Sequence, residues 1–397
     1  MRAVVAASAA LLASCAEPAR TQDPLFERGP TPVAVGHGSG KIVLIDVNRD
    51  GHLDLVTQHL LDSLIKVHLG DGKGAFALAP GSPIKPRLPP GTIAVADVNN
   101  DGVVDIGVAS RVDAGEYVAI LRGDGRGGFT PSLGKPVRTS AAMQFYKPIL
   151  RLVDVNNDKN VDIVTANGRR HTVEVLLGDG AGNFKAMQVV QLGGAGQGLS
   201  SFAVGDVDGD GRVDIVASNS LGPDLGNLNR SRLVTKLGRG TGNFSDGAIS
   251  TVPPGAILES LADVNGDGRL DAVFNHGDRR QVSVALNDGK GAFTSSAPIN
   301  TDDGAEAFAI LVADVNADGK GDLIAATVQN EVAPHASKVA VFLGTANGFV
   351  RAPGSPYPAG EGSYHLALGD VNGDGKLDVA SPSFGGKAVS ILLGRAR

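Results

Sequence analysis

Short apolar runs alternate with glycine-rich polar turns along the chain. A run of the type Ile-Ala-Val-Ala-Asp-Val ends just before Asn99. A second apolar run follows at residues 104–110, and a third, with alternating apolar positions, at residues 117–123. A fourth begins at Phe129, after a Gly-Asp-Gly-Arg-Gly-Gly turn. Runs of four to eight residues, rich in β-branched side chains and bounded by Gly, Asn and Asp, read as strands. Helix signals are nearly absent, because Gly or Pro punctuates the chain about every ten residues.

This four-strand grammar repeats. An Asp-rich string starts at Asp46, Asp97, Asp154, Asp206, Asp263, Asp314 and Asp370, with intervals of 51, 57, 52, 57, 51 and 56 residues. Between these strings lies a glycine turn closed by Phe76, Phe129, Phe184, Phe244, Phe293 or Phe349. Units of about 50 residues with four short strands each read as propeller blades. Only 27 residues follow Asp370, so the last unit ends before its fourth strand, whereas Phe26 lies 20 residues ahead of Asp46 like a seventh marker. The expectation is an all-β, seven-bladed β-propeller of four-stranded blades. Its N-terminal strand joins the last blade, which leaves no dangling sheet edge.

Composition supports a packed protein. Of 397 residues 42% are hydrophobic and 55 are Gly, and there is one Cys. A lone Cys excludes a disulfide framework and a thiolate zinc cluster. No apolar run of 18 residues follows the N-terminus, which argues against a polytopic membrane protein. Residues 1–14 have the charged start and short apolar stretch of a secretory signal. The string Leu12-Ala13-Ser14-Cys15 resembles a bacterial lipobox, which implies lipid attachment at Cys15. Residues 15–24 then form a tether and 25–397 the propeller. The expected location is the bacterial cell envelope, anchored at the outer membrane by lipid alone, with the propeller a monomer.

The Asp strings carry candidate metal chemistry. Oxygen side chains fall at positions 1, 3, 5 and 9, with Gly usually at 6. The sets are Asp46, Asn48, Asp50, Asp54; Asp97, Asn99, Asp101, Asp105; Asp154, Asn156, Asp158, Asp162; and Asp206, Asp208, Asp210, Asp214. The remaining sets are Asp263, Asn265, Asp267, Asp271; Asp314, Asn316, Asp318, Asp322; and Asp370, Asn372, Asp374, Asp378. Hard oxygens at alternate positions of a turning chain suit Ca²⁺, up to seven ions in all. EF-hands would need Glu at position 12, which holds Thr57, Val108, Thr165, Ala217, Phe274, Ala325 and Ser381 instead. Lys159 replaces Gly in the third loop, which predicts a strained turn or a weaker site. Seven bound Ca²⁺ would move the formal charge from −6 to +8, the balance that suits acidic partners.

The Asp loops joined to Gly-Asp-Gly-x-Gly-x-Phe turns resemble the FG-GAP or VCBS repeats of integrin-α-type propellers. The resemblance covers residues 25–397. It implies calcium in the hairpins between first and second strands and a ligand face on the opposite side. Some fungal lectins and polysaccharide lyases have related propellers, so the family does not fix function.

Other motifs are weak. Gly123, Gly125 and Gly128 satisfy a dinucleotide pattern, but a strand follows where a helix is required. Gly40-Lys41 is followed by Ile42, which breaks a phosphate loop. Neither a zinc-protease motif nor a nucleophile elbow occurs. The four tyrosines, Tyr117, Tyr146, Tyr357 and Tyr364, are expected in or beside the loop face, as are His37, His59, His171, His276, His335 and His365. Its candidate ligand residues are Tyr146, Arg169, Arg170, Tyr364 and His365. An acid–base pair for a lyase would come from His171 or from Glu361 with His365. With no recurrent catalytic constellation, the expectation is a non-enzymatic binding or adhesion module. It would recognise a protein partner at the envelope, with a lectin or polysaccharide lyase or hydrolase as the alternative and no role for nucleic acid.

Overall fold

The computed structural model describes residues 23–395, apart from 30, 113–114, 133–135, 140–148, 168–170, 194–196, 222–230, 277–279, 302–304 and 330–335. The candidates Cys15, Tyr146, Arg169 and Arg170 lie outside the described residues. Seven antiparallel sheets form the blades of a propeller, and no helix occurs among the described residues. The innermost strands of blades 1 to 7 are Ser39–Ile45, Thr92–Ala96, Leu150–Val153, Gln197–Gly205, Ile257–Ala262, Glu306–Ala313 and Ala367–Gly369. Within each blade the order from the inside outwards follows the chain, except at the seam.

The seam closes as the residue counting predicts. In blade 7, Phe26–Arg28 pairs with Ala388–Gly394, and Val33–Ala34 continues along the same neighbour. Phe26 stands opposite Gly394, as Phe76 stands opposite Gly70 in blade 1 and Phe184 opposite Gly178 in blade 3.

The core is divided. Seven hydrophobic clusters each occupy one junction between neighbouring blades. Blades 1 and 2, for example, bury Val56, Ile65, Ile93 and Ile106 together, none of them exposed at all. Strand side chains alternate between the two faces of a sheet, so each blade serves two junctions. Burial of this kind, at about 25 cal/mol per Å² of apolar surface, holds blade to blade.

The outer strands depart from the simple four-strand grammar. In blade 1 the outer strand Phe76–Leu78 is followed by Pro80, Gly81 and Pro83, and only Ile84 pairs again with Ile65. Proline cannot donate to a ladder, so the outermost position is where a sheet tolerates it. Blades 3 and 4 instead have long outer strands, Phe184–Gln191 and Phe244–Val252, each with a bulge in the ladder.

Candidate functional site

The Asp loops join the first and second strands of each blade, all on one face of the ring. In loop 1 the Asp46 carboxylate accepts the N–H of Arg49 (2.6 Å) and of Gly51 (2.9 Å). Asn48 Oδ1 accepts Asp50 N–H at 3.1 Å, and Asp50 Oδ1 accepts His52 N–H at 2.9 Å. The bond from position 6 to position 1 recurs in every loop at 2.7–2.9 Å. To point these donors inwards the chain turns left-handed at position 6: Gly51 has φ 86° and Gly375 φ 82°. Lys159 takes the same turn at φ 70°, so the side chain predicted to strain it does sit in the left-handed region. Position 4 is left-handed too, including Arg49 at 63° and Ala317 at 58°, which the residue types do not announce.

Position 9 has a second task. Asp54 accepts Val47 N–H through Oδ2 and Gly70 N–H through Oδ1, both at 2.8 Å. Gly70 ends the third strand, so one carboxylate pins the loop to the neighbouring turn. The same pair of bonds recurs at Asp105, Asp162, Asp214, Asp271, Asp322 and Asp378, and all seven carboxylates are fully buried. A Cβ at Gly70 would collide with the carbonyl oxygen of Leu53, and glycine stands at this position in every blade but the fifth. Blade 5 places Asn287 there, and its amide donates to the carbonyls of Val207 (2.8 Å) and Leu270 (3.1 Å). Burial pushes these acids up, Asp162, Asp214 and Asp322 to about 6.

The donor chemistry of the loops fits a hard cation. In loop 4 one carboxylate oxygen from each of Asp206, Asp208 and Asp210 lies within 4.8 Å of the others. Partial burial and the charge of Asp210 push the Asp208 carboxyl up, the mark of acids crowded together. Ca²⁺ takes six to eight such oxygens.

The opposite face gathers a different set. Tyr364 precedes the inner strand of blade 7. Its ring stands edge-to-face with Phe308 of blade 6 (centroids 4.8 Å apart, 84°) and with Phe384 of blade 7 (6.1 Å, 71°). Phe308 occupies a bulge in its inner strand, where pairing skips from Ala307 to Ala309. Glu259 occupies the equivalent bulge of blade 5, between Leu258 and Ser260. A bulge re-aims the extra side chain, here at the channel end of two neighbouring blades. Glu259 Oε1 accepts Asn275 Nδ2 at 2.6 Å, and Asn275 also donates to the Phe308 carbonyl at 3.4 Å. From blade 3, Arg151 donates to the Phe202 carbonyl (3.4 Å) with its guanidinium 5.7 Å from that ring's centroid. Burial pulls the Arg151 pKa down, and the charge of Glu259 opposes that. Inside the ring, residues 42–44, 260–262, 311–312 and 366–368 line a cavity of ≈ 420 Å³.

Several residues in or beside this face are tied into the blades. Tyr357 is buried at the seam, not displayed. Its hydroxyl accepts Leu25 N–H at 2.9 Å and donates to Pro353 O at 2.6 Å. Tyr117 lies within the third strand of blade 2, opposite Ser110. His59 and His276 end second strands and are buried, with Nε2 on Thr57 Oγ1 (3.0 Å) and on Ser283 Oγ (2.8 Å). His171 is held to blade 4, its Nδ1 accepting Leu199 N–H at 3.2 Å. The main chain of Glu361 is tied down by Ser383, whose hydroxyl both accepts its N–H and donates to its carbonyl. His335 falls among residues 330–335, outside the described residues.

Residues 46–108, 154–217 and 263–325 match the FG-GAP-like repeat family, each match beginning on an Asp loop and spanning two of them. No curated protein sequence matches the chain. Solved structures share the fold at low identity. One is BBS1N in complex with ARL6DN (TM-score 0.62, 15% identity, 94% of this chain and 98% of that one covered). Another is a protein from Lactobacillus plantarum (0.57, 15%, 92% and 93%). A third is a putative 6-phosphogluconolactonase from Bacteroides uniformis (0.58, 14%, 89% of each).

Proposed function

We propose that this chain, a β-propeller of FG-GAP-like repeats, is a calcium-stabilised module that holds a protein partner on the face opposite its Asp loops. One observation carries the reading. The Asp-loop face repeats one bonding scheme around the ring, whereas the opposite face breaks the repeat at Glu259, Phe308, Tyr364 and Phe384. Recognition needs such departures, because a strictly repeated surface presents no unique patch. Aromatic side chains supply rigid contact area at small entropic cost.

In this reading the Asp loops hold calcium through the side chains at positions 1, 3, 5 and 9. The ion neutralises acids that otherwise repel, and the blades keep the register that presents the partner face. Cys15 carries the lipid that retains the module at the bacterial envelope, so the partner is an envelope protein.

The test compares the full chain with a Tyr364→Ala, Phe384→Ala variant as bait for an envelope-protein extract in millimolar calcium. One stoichiometric partner retained by the wild type and lost by the folded variant supports the reading. Equal retention by both moves the contact elsewhere. A second reading has its own support, since the polar pair Glu259–Asn275, bonded to the Phe308 carbonyl, and the aromatic rings of Phe308, Tyr364 and Phe384 are groups that also suit a sugar ring. Retention of a defined glycan by the same bait, sensitive to the same variant, would replace the protein partner with a saccharide.

A further inference from the structure

In every Asp loop the position 5 carboxylate keeps one oxygen without a main-chain donor. Position 1 uses its carboxylate on loop N–H groups and position 9 uses both of its oxygens. At position 5, Oδ1 accepts the N–H of position 7. Position 5 Oδ2 is left for side chains. In loops 1, 2, 3 and 5 it accepts the Nδ2 of Asn48, Asn99, Asn156 or Asn265 at 2.8–3.2 Å, and in loops 1 to 3 that amide has no cation beside it at position 7.

Loops 4 to 7 bring a cation to that atom. Position 7 there is Arg212, Arg269, Lys320 and Lys376, against His52, Val103 and Asn160 in loops 1 to 3. The four basic groups lie 3.5, 4.0, 3.5 and 3.1 Å from Oδ2 of Asp210, Asp267, Asp318 and Asp374. In loop 4 the amide of position 3 is itself replaced by Asp208, so the Arg212 guanidinium offsets a cluster of three carboxylates.

We infer that Arg212, Arg269, Lys320 and Lys376 act as built-in counter-cations that set calcium affinity lower in loops 4 to 7 than in loops 1 to 3. The inference rests on the calcium reading above. Calcium must displace or repel each of these cations to reach Oδ2, whereas in loops 1 to 3 it displaces only a neutral amide. The same side chains quiet the acids before calcium arrives, so loops 4 to 7 fold without it. A unit charge at roughly 6 Å from a divalent ion, in a water-like dielectric and with salt screening, changes affinity by about 3–10-fold. The ring is thereby divided into two arcs, blades 1 to 3 filling at lower calcium and blades 4 to 7 at higher.

The experiment is calcium titration calorimetry on EGTA-stripped protein, comparing wild type with R212Q/R269Q/K320Q/K376Q. A control, K73Q/R126Q/R239Q/K290Q, removes equal charge from the glycine turns of the same face. The expected result is about 3–10-fold tighter binding at the weak class of sites in the first variant alone, with a lower melting temperature in EGTA. Equal tightening in the control, or an unchanged isotherm in the first variant, overturns the inference. Absence of calcium heat in the wild type overturns the calcium reading itself, and this inference with it. If the fourfold variant does not fold, Lys376→Gln, at the closest of the four pairs, tests one site by the same criterion.

Discussion

Phe26 stands opposite Gly394 in blade 7, at the register that Phe76 takes against Gly70 in blade 1. The N-terminal segment is therefore a blade component and not an appendage. Its ring lies edge-to-face with Tyr357, centroids 5.5 Å apart, and is 3% exposed. Phe26→Ala should cost about 3–5 kcal/mol, the range for a buried aromatic. Tyr357→Phe should cost about 1–3 kcal/mol, because it leaves the Leu25 N–H without its acceptor. Urea unfolding of both variants checks this. A loss under ~1 kcal/mol in each would mean that the seam does not hold the ring.

The position 9 and position 5 acids should separate in the absence of calcium. Asp322→Ala strips two N–H groups, of half-buried Val315 and of buried Gly344, of their acceptor. At about 1–3 kcal/mol per unpaired group, the loss is about 2–6 kcal/mol. Asp318→Ala removes an exposed acid paired to Lys320 and should cost under ~1 kcal/mol. Denaturant midpoints in EGTA decide it, and equal losses would remove the buried staple as the explanation.

Protons and calcium should compete for the buried acids. Asp162, Asp214 and Asp322 have pKa values raised to about 6 in the folded chain, against the ordinary 3.8. The folded state then binds more protons than the unfolded state between those values. In EGTA, stability should therefore rise as pH falls from about 7 to about 5. In millimolar calcium it should fall over the same window, since protonated carboxyls are poor ligands. Melting curves with and without calcium should converge at the acid end. Parallel curves would show that these acids do not bind the ion.

Lys159→Gly should stabilise the protein by about 1 kcal/mol. The lysine holds φ 70°, where a side chain clashes with its own backbone and glycine does not. Thermal unfolding in EGTA isolates this term from any change in ion binding. A destabilised variant would mean that the Lys159 side chain contributes more than its strained backbone costs.

The partner face should depend on Tyr364 more than on the other described tyrosines. Tyr364→Ala should abolish retention of the partner while leaving the melting temperature within about 3 °C of wild type, since the ring is only partly buried. Tyr117→Ala, within a third strand, should lower stability without a specific loss of retention. The reverse pattern would place the contact on blade 2.

The fold was legible because its information is repeated. Seven Asp strings in register set the blade count, and the truncated last unit with Phe26 set the closure. What stayed hidden depends on single residues that no repeat marks. Arg49 and Ala317 adopt left-handed backbone that their side chains do not suggest. The bulges at Glu259 and Phe308 leave no mark in the alternation of apolar residues. Phe308, Tyr364 and Phe384 come from three separate segments, so only the packing of blade 6 against blade 7 brings them together. The second role of the position 9 acid was hidden for a similar reason, because its partner N–H lies at the end of the third strand.

The seam also decides how the molecule responds to tension. A pull on the chain ahead of Leu25 reaches the ring where Phe26 meets Gly394, the end of the antiparallel pair. Load applied there peels rungs one at a time instead of shearing them together. Three groups meet the force first: the Leu25 N–H on Tyr357, the Leu25 carbonyl on Arg395 N–H, and Glu27 on the Arg395 guanidinium. Tyr357 belongs to blade 6, so the first of these hands the strain to a neighbour before blade 7 begins to open. A tethered propeller under drag would yield at this latch, with the remaining blades still packed.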